Sequence, residues 1–304
     1  MSARSARAAA GLLCVVLSLG VVARAAVLTQ QGSDAPQNGT RPDPRFSARV
    51  DLVVLRAIVV DSHNRCVSGL SRDNFHLFEN NVEQSIAYFF EGDAPSSVGL
   101  VLDSSRSMST NFSAIKQALA SMIDELPADE LFLMTFNERV RMLHDFTTER
   151  SALKGNLDSV QAEGKTALFD AVEAAILLMR RARQPRKVLL VITDGEENSS
   201  RRRFGELKEL ARDSDVQIYV IAEESTRVYG RHVCREISRW TGGRTFFMRS
   251  ADLLRREWPA IAADLNSQYE IGFTPHSDAR GTQSRKLKLV VEGRSSKLKV
   301  ITRR

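Results

Sequence analysis

The sequence predicts an α/β protein: a doubly wound, mostly parallel sheet with helices on both faces, accompanied by a small β domain built from the N- and C-terminal segments. Three observations carry this expectation. Five short apolar runs stand in succession: Val98 to Leu102, Leu131 to Phe136, Val188 to Thr193, Val216 to Ala222 and Arg244 to Phe247. Amphipathic stretches lie between them, which is how buried parallel strands and their crossover helices read in sequence. On either side of this region the pattern changes to β-branched and aromatic runs broken by turn residues.

Taken in order, Val50 to Val60 is β-branched and apolar, and Asp61-Ser62-His63-Asn64 supplies a turn. Phe75 to Glu79 and Ser85 to Phe90 are expected as two strands around the turn signal Glu79-Asn80-Asn81. Helical spacing shows in Ile115, Leu119, Met122 and Leu126, and again in Leu168, Val172, Ala175, Ile176 and Met179. It recurs in Phe204, Leu207 and Leu210, and in Leu253, Leu254, Trp258 and Ile261. Arg139 to His144 follows Leu131 to Phe136 after Asn137-Glu138, a hairpin that adds an antiparallel edge strand. After Asn266 the runs Tyr269 to Thr274, Arg285 to Val291 and Lys297 to Ile301 read as strands. They cannot bury a face alone, so they are expected to pair with the N-terminal β segment.

A chain of 304 residues with 43% hydrophobic and 26% charged residues is ordinary folding sequence, long enough for about two domains. The first 26 residues are not expected to belong to the fold. Arginines without acids precede the apolar stretch Gly11 to Val22, and Ala23-Arg24-Ala25 has the small residues a signal peptidase needs. About 12 apolar residues are too few for a transmembrane helix, so no stable membrane span is expected after cleavage and the protein is expected outside the cytoplasm, secreted or periplasmic. Without Arg4, Arg7 and Arg24 the 43 basic residues fall to 40 against 37 acidic, a charge of +3 with no long basic run. Nucleic acid is therefore not the expected partner. Residues 27–46, polar and rich in Pro, Gly and Asn, read as a flexible leader. Cys66 and Cys234 remain in the mature chain, and either a disulfide or two unpaired thiols is compatible with their spacing.

The chemistry concentrates in three pieces. Asp103-Ser104-Ser105-Arg106-Ser107 follows the first central strand as a DxSxS pattern, Gly164-Lys165-Thr166 opens a helix, and Thr193-Asp194-Gly195 ends the strand Val188 to Thr193. In an open α/β sheet such segments converge on the carboxyl edge, where ligands bind. Asp103, Ser105, Ser107, Thr166 and Asp194 would bring two carboxylates and three hydroxyls together. Hard oxygen donors without His or Cys select Mg²⁺, Mn²⁺ or Ca²⁺, with Mg²⁺ the expected ion. A cation held largely by hydroxyls and water keeps much of its charge, and an incoming Asp or Glu side chain completes its coordination.

With these residues in this order the chain resembles the von Willebrand factor type A domain family, a Rossmann-like fold with a metal-ion-dependent adhesion site. Asp103, Ser105, Ser107, Thr166 and Asp194 match that motif completely. The resemblance implies a type A domain over 95–266, flanked by an N-terminal β segment at 47–94 and a C-terminal one at 267–304. It also implies a divalent cation that captures an acidic side chain of a protein partner without catalysis. Val59-Val60-Asp61 to Leu70, Asp73-Asn74-Phe75, Phe78-Glu79-Asn80 and Tyr269 to Pro275 are similar to the flanks of a secreted bacterial branch of these proteins.

The enzymatic alternative, a metal-dependent hydrolase or nucleotide-binding protein, has less behind it. Gly164-Lys165-Thr166 lacks the first glycine of a phosphate loop, which falls on Ser159, and an amphipathic stretch rather than a strand precedes it. His63, His76, His144, His232 and His276 are scattered, and no GxSxG or HExxH pattern is present. Arg106, Glu196, Arg201 and Arg202 are the candidate ligand rim, with Glu196 and Glu197 offsetting part of the positive field.

Overall fold

Two-sided burial shapes the centre of the protein. The structure, a computed structural model, describes residues 52–275 except 93, 127 and 225, together with 286–292 and 298–303. The expected signal segment and leader, and His276, lie outside the described residues.

Six strands form the central sheet: β5 (Ser96–Asp103), β6 (Glu130–Phe136), β7 (Val140–Thr147), β8 (Arg186–Thr193), β9 (Val216–Glu223) and β10 (Thr245–Met248). Their order is β10-β9-β8-β5-β6-β7, parallel except for β7, the expected antiparallel edge. Helices α1 (Phe112–Glu125), α2 (Arg150–Asp158) and α6 (Ala251–Asn266) cover one face, and α3 (Leu168–Leu178), α4 (Phe204–Asp213) and α5 (Val228–Trp240) cover the other. Alternation along β5 shows why both faces must be covered: Leu100 and Leu102 join the core under α1, while Val101 joins the core under α3. Gly99 precedes them, where a Cβ would meet the Phe132 ring at 2.2 Å and Leu189 at 2.6 Å. Helix α5 has no counterpart in the sequence reading. Its buried face is Val233, Cys234, Ile237 and Trp240, a helical spacing interleaved with Arg231, Arg235 and Arg239.

Two smaller sheets come from the terminal segments. The first has the order β13-β1-β11-β4, from β13 (Lys299–Thr302), β1 (Val53–Val60), β11 (Tyr269–Phe273) and β4 (Ile86–Glu91). The second has the order β12-β2-β3, from β12 (Leu287–Val291), β2 (Phe75–Glu79) and β3 (Val82–Gln84). All pairings in both are antiparallel, and each sheet joins N-terminal to C-terminal chain. One detail departs from expectation. The partner of β2 across Asn80-Asn81 is the short β3, whereas Ile86–Glu91 leaves for the other sheet. Both asparagines have positive φ, 51° and 67°, so the turn is two residues long and pairs Glu79 with Val82.

The terminal strands share a core with the central sheet: Ile58 and Val60 pack with Leu100, Leu119 and Trp258, while Val59 faces Phe75, Tyr269 and Phe273. A polar clamp ties the same regions. Arg244 pairs with Asp264 of α6, its second amino group donates to the Asn64 carbonyl at 2.7 Å, and the Cys66 thiol donates to Asp264 at 2.9 Å. Cys66 and Cys234 are free thiols. No described helix is long and apolar enough to cross a membrane.

Asp264 is almost fully buried, so removal of its partner leaves an uncompensated charge. Arg244→Met is expected to lower unfolding free energy by about 3–5 kcal/mol, and Arg244→Met with Asp264→Leu to recover most of it. Urea unfolding of the three proteins checks this; a single-variant loss under about 1 kcal/mol would contradict a buried clamp.

Candidate metal centre

The register between β5 and β8 places the two carboxylates. Leu102 pairs with Ile192, so the next residues, Asp103 and Thr193, leave adjacent strands side by side and Asp194 follows at once. Thr193 Oγ1 donates to Asp103 Oδ2 at 2.6 Å and accepts the Gly195 N–H at 3.0 Å. Asp103 Oδ1 accepts the Ser105 N–H at 2.9 Å, and Asp194 Oδ1 accepts the Glu196 N–H at 3.0 Å. The Ser105 and Ser107 hydroxyls lie 3.1 Å apart. Asp103, Ser105, Thr166 and Asp194 are buried, and Ser107, in a short 3₁₀ turn, stands at the surface.

Loop-to-loop hydrogen bonds hold this edge together. Ser104 N–H donates to the Phe136 carbonyl at 2.7 Å, Glu163 N–H to the Ser104 carbonyl at 2.8 Å and Arg106 N–H to the Gly164 carbonyl at 3.2 Å. Ala167 N–H donates to the Asn137 carbonyl at 2.8 Å. Gly164 has φ +78°, and a Cβ there would lie 1.8 Å from Glu138 Oε2, which accepts the Lys165 N–H instead. Thr166 is tied to the third loop: its N–H donates to Asn198 Oδ1 at 2.9 Å, and its carbonyl accepts the N–H groups of Asn198 and Ser199. The structure thus links all three sequence pieces.

Five residues that the sequence reading left without a positioning role supply one: Thr193, Asn137, Glu138, Asn198 and Asp170. Asp170 accepts the Arg201 and Arg202 N–H groups, and Glu197 accepts the Phe169 N–H at the start of α3. Glu197 therefore caps a helix, and its carboxylate contributes there. Of the rim residues, Arg106 and Arg201 are exposed and Glu196 is half-buried beside Asp194. Arg202 is taken up elsewhere: Glu173 of α3 binds its guanidinium, with Nε to Oε2 at 2.7 Å. The segment before Gly164 contains α2, not the strand a phosphate loop requires.

These residues fit a hard divalent cation. Among the described residues no Lys or Arg side chain lies within ion-pair distance of Asp103 or Asp194. Burial, with the Asp194 carboxylate nearby adding to it, pushes the Asp103 carboxyl up to about 7 against the opposing Ser105 and Thr193 hydrogen bonds. Beneath the loop, burial and the same two carboxylates push the Cys234 thiol up to about 12. Two carboxylates crowded without a protein counter-charge, next to three hydroxyl oxygens, form a donor set for Mg²⁺-like ions.

The sign of the linkage follows. With its folded value raised, metal-free Asp103 stabilises the fold most fully when protonated, so stability falls as pH rises from about 4 to 7. Asp103→Asn is expected to flatten that fall and, at pH 8 in EDTA, to exceed the wild type in stability by at least about 1 kcal/mol, near the equivalent of one pKa unit. Thermal melts across pH test this; identical profiles for the two proteins would contradict it.

Comparisons with known proteins bear on the fold. Residues 98–197 match the family model of the von Willebrand factor type A domain. A von Willebrand factor type A structure from Catenulispora acidiphila is similar at 14% identity and TM-score 0.51, over 84% of this chain and 73% of that one. Proximal thread matrix protein 1 from the mussel byssus, in a structure with its MIDAS motif occupied by zinc, is similar at 18% identity and TM-score 0.50. That match covers 62% of this chain and 49% of the mussel protein, so the chain spans about half of the latter's length. At such identities the likeness is one of fold. No curated protein matches the sequence. The family match over residues 98–197 and the six-stranded sheet that contains them agree on the fold of a von Willebrand factor type A domain.

Proposed function

We propose that the protein is an exported, non-enzymatic binding module. Asp103, Ser105, Ser107, Thr166 and Asp194 would hold a divalent cation, Mg²⁺ in the first instance, at which a partner protein's Asp or Glu side chain docks. The observation that carries the reading is the pair of buried carboxylates at the ends of β5 and β8, which have no Lys or Arg ion-pair partner among the described residues. The zinc-occupied MIDAS motif of the mussel protein supports a cation at the corresponding edge of this fold.

When bound, the cation supplies Lewis acidity and an exchangeable position for a carboxylate oxygen. The protein's own residues account for the rest. Ser105 and Ser107 present their hydroxyls together, Thr166 is fixed by Asn198, and Asp103 and Asp194 provide negative charge while accepting backbone N–H groups. Asp103 is fully buried and Asp194 nearly so, which leaves Ser107 as the exposed member at the mouth. A partner side chain therefore approaches over Ser107. Among the described residues no histidine hydrogen-bonds to these loops.

Titration calorimetry with Mg²⁺, Mn²⁺ and Zn²⁺ tests the site. Saturable binding is expected in the wild type and loss of at least about tenfold in affinity in Asp103→Ala and Asp194→Ala, each checked for folding by melting. Folded wild type that takes up none of the three ions would sink the reading. Export is tested separately by N-terminal sequencing of protein recovered from outside the cytoplasm, with a mature chain beginning close to Val27 expected and retention of Met1 counting against it.

A further inference from the structure

We propose that the partner's contact segment is acidic over several residues and carries a large apolar side chain next to the carboxylate that meets the cation; this rests on the metal-dependent reading above. A cleft of about 240 Å³ opens beside Asp194. The Asp194–Asn198 loop forms one wall, and Thr226, Arg227, Tyr229 and Gly230, where β9 hands over to α5, form the other. Gly195 and Gly230 bring these walls together, since a Cβ on Gly230 would lie 2.6 Å from the Gly195 carbonyl oxygen.

The lip of that cleft is apolar. Val228 and Tyr229, the first two residues of α5, are 87% and 59% exposed, and Val228 is the most exposed large apolar side chain among the described residues. Neither packs against any of the three cores, so their exposure contributes nothing to the fold. Adjacent apolar side chains beside a binding site mark a docking surface. An extended segment advances roughly 3.4 Å per residue, which sets a side chain one or two positions from a metal-bound carboxylate over this cleft.

Charge selects the rest of the segment. The loops at this edge carry several exposed cations, among them Arg106, Lys165, Arg201 and Arg227. None of the four has a carboxylate within ion-pair distance among the described residues. Of the acids on these loops, Glu138 accepts the Lys165 N–H, Glu197 accepts the Phe169 N–H and Glu224 pairs with Arg249, which leaves Glu163 and Glu196 to oppose them. Helix α5 adds its positive end, because its N-cap residue Arg227 supplies no side-chain acceptor to the first turn. An acidic segment complements this field, whereas a basic or neutral one does not.

The test uses three labelled peptides of one length, each with a central Glu, measured by fluorescence anisotropy in saturating Mg²⁺ and in EDTA. The first has a Gly/Ser background, the second has further Asp and Glu residues, and the third is the second with Phe beside the central Glu. Affinity is expected to rise in that order, with Phe adding about tenfold, and to vanish in EDTA. Val228→Ser with Tyr229→Ser should reduce the third peptide to the level of the second and leave the second unchanged. Arg201→Gln with Arg227→Gln should weaken the second and third peptides and flatten their salt dependence. All four residues are exposed, and melting confirms that the variants fold. Equal binding of the second and third peptides, or a third peptide indifferent to the Val228 and Tyr229 changes, overturns the proposal. Peptide binding that survives EDTA overturns it too. If calorimetry shows metal uptake but no peptide binds, the inference falls and the cation site stands; if no metal binds, both fall.

Discussion

Two like charges are forced together at the ends of neighbouring parallel strands, and much of the surrounding structure serves that constraint. Parallel pairing of β5 with β8 brings Asp103 beside Thr193, and chain continuity then delivers Asp194. Neither carboxylate can turn back into the sheet, because both faces are filled by aliphatic cores. The repulsion is relieved in part by hydrogen bonds from Thr193, Ser105 and Glu196. None of these donors carries a charge, so the site retains an appetite for a cation.

Backbone N–H groups are the donors in most of the hydrogen bonds that hold the surrounding loops. Ser104, Arg106, Glu163, Ala167, Asn198 and Ser199 all donate main-chain N–H groups across loop boundaries. A site built this way keeps its geometry when the exposed side chains change. It can therefore hold a constant metal-binding frame while the rim, Arg106, Lys165, Arg201 and the start of α5, varies with the partner.

The central sheet and the five motif residues were legible for different reasons. Strands buried on both faces announce themselves as unbroken apolar runs, and β5, β6, β8 and β9 all did. Asp103, Ser105, Ser107, Thr166 and Asp194 stand out because residue type alone restricts the chemistry they can support. Thr193, Asn137 and Asn198 are ordinary polar residues whose meaning depends on partners far along the chain, 90 positions in the case of Thr193 and Asp103. Helix α5 was hidden by arginines interleaved with its apolar face and by an exposed first turn, although Val233, Cys234, Ile237 and Trp240 carry the period. The hand-over from β3 to β4 was hidden because the two asparagines make a turn only two residues long, which ends the first hairpin earlier than the apolar pattern does.

Strand β1 lies between β11 and β13, the first and last strands of the C-terminal segment. Its neighbours are about 212 to 245 residues away in sequence, whereas the longest separation across a pair of central strands is about 90, between β5 and β8. Long-range pairing of this kind pays its loop-closure entropy late. The α/β layer can thus condense while β1 still lacks its neighbours, and the terminal sheet closes only when β11 and β13 are available. Strand β13 thus acts as an edge cover: a chain truncated before Lys299 keeps its central layer but leaves a β-branched strand edge open, the kind of surface that aggregation and proteolysis find first.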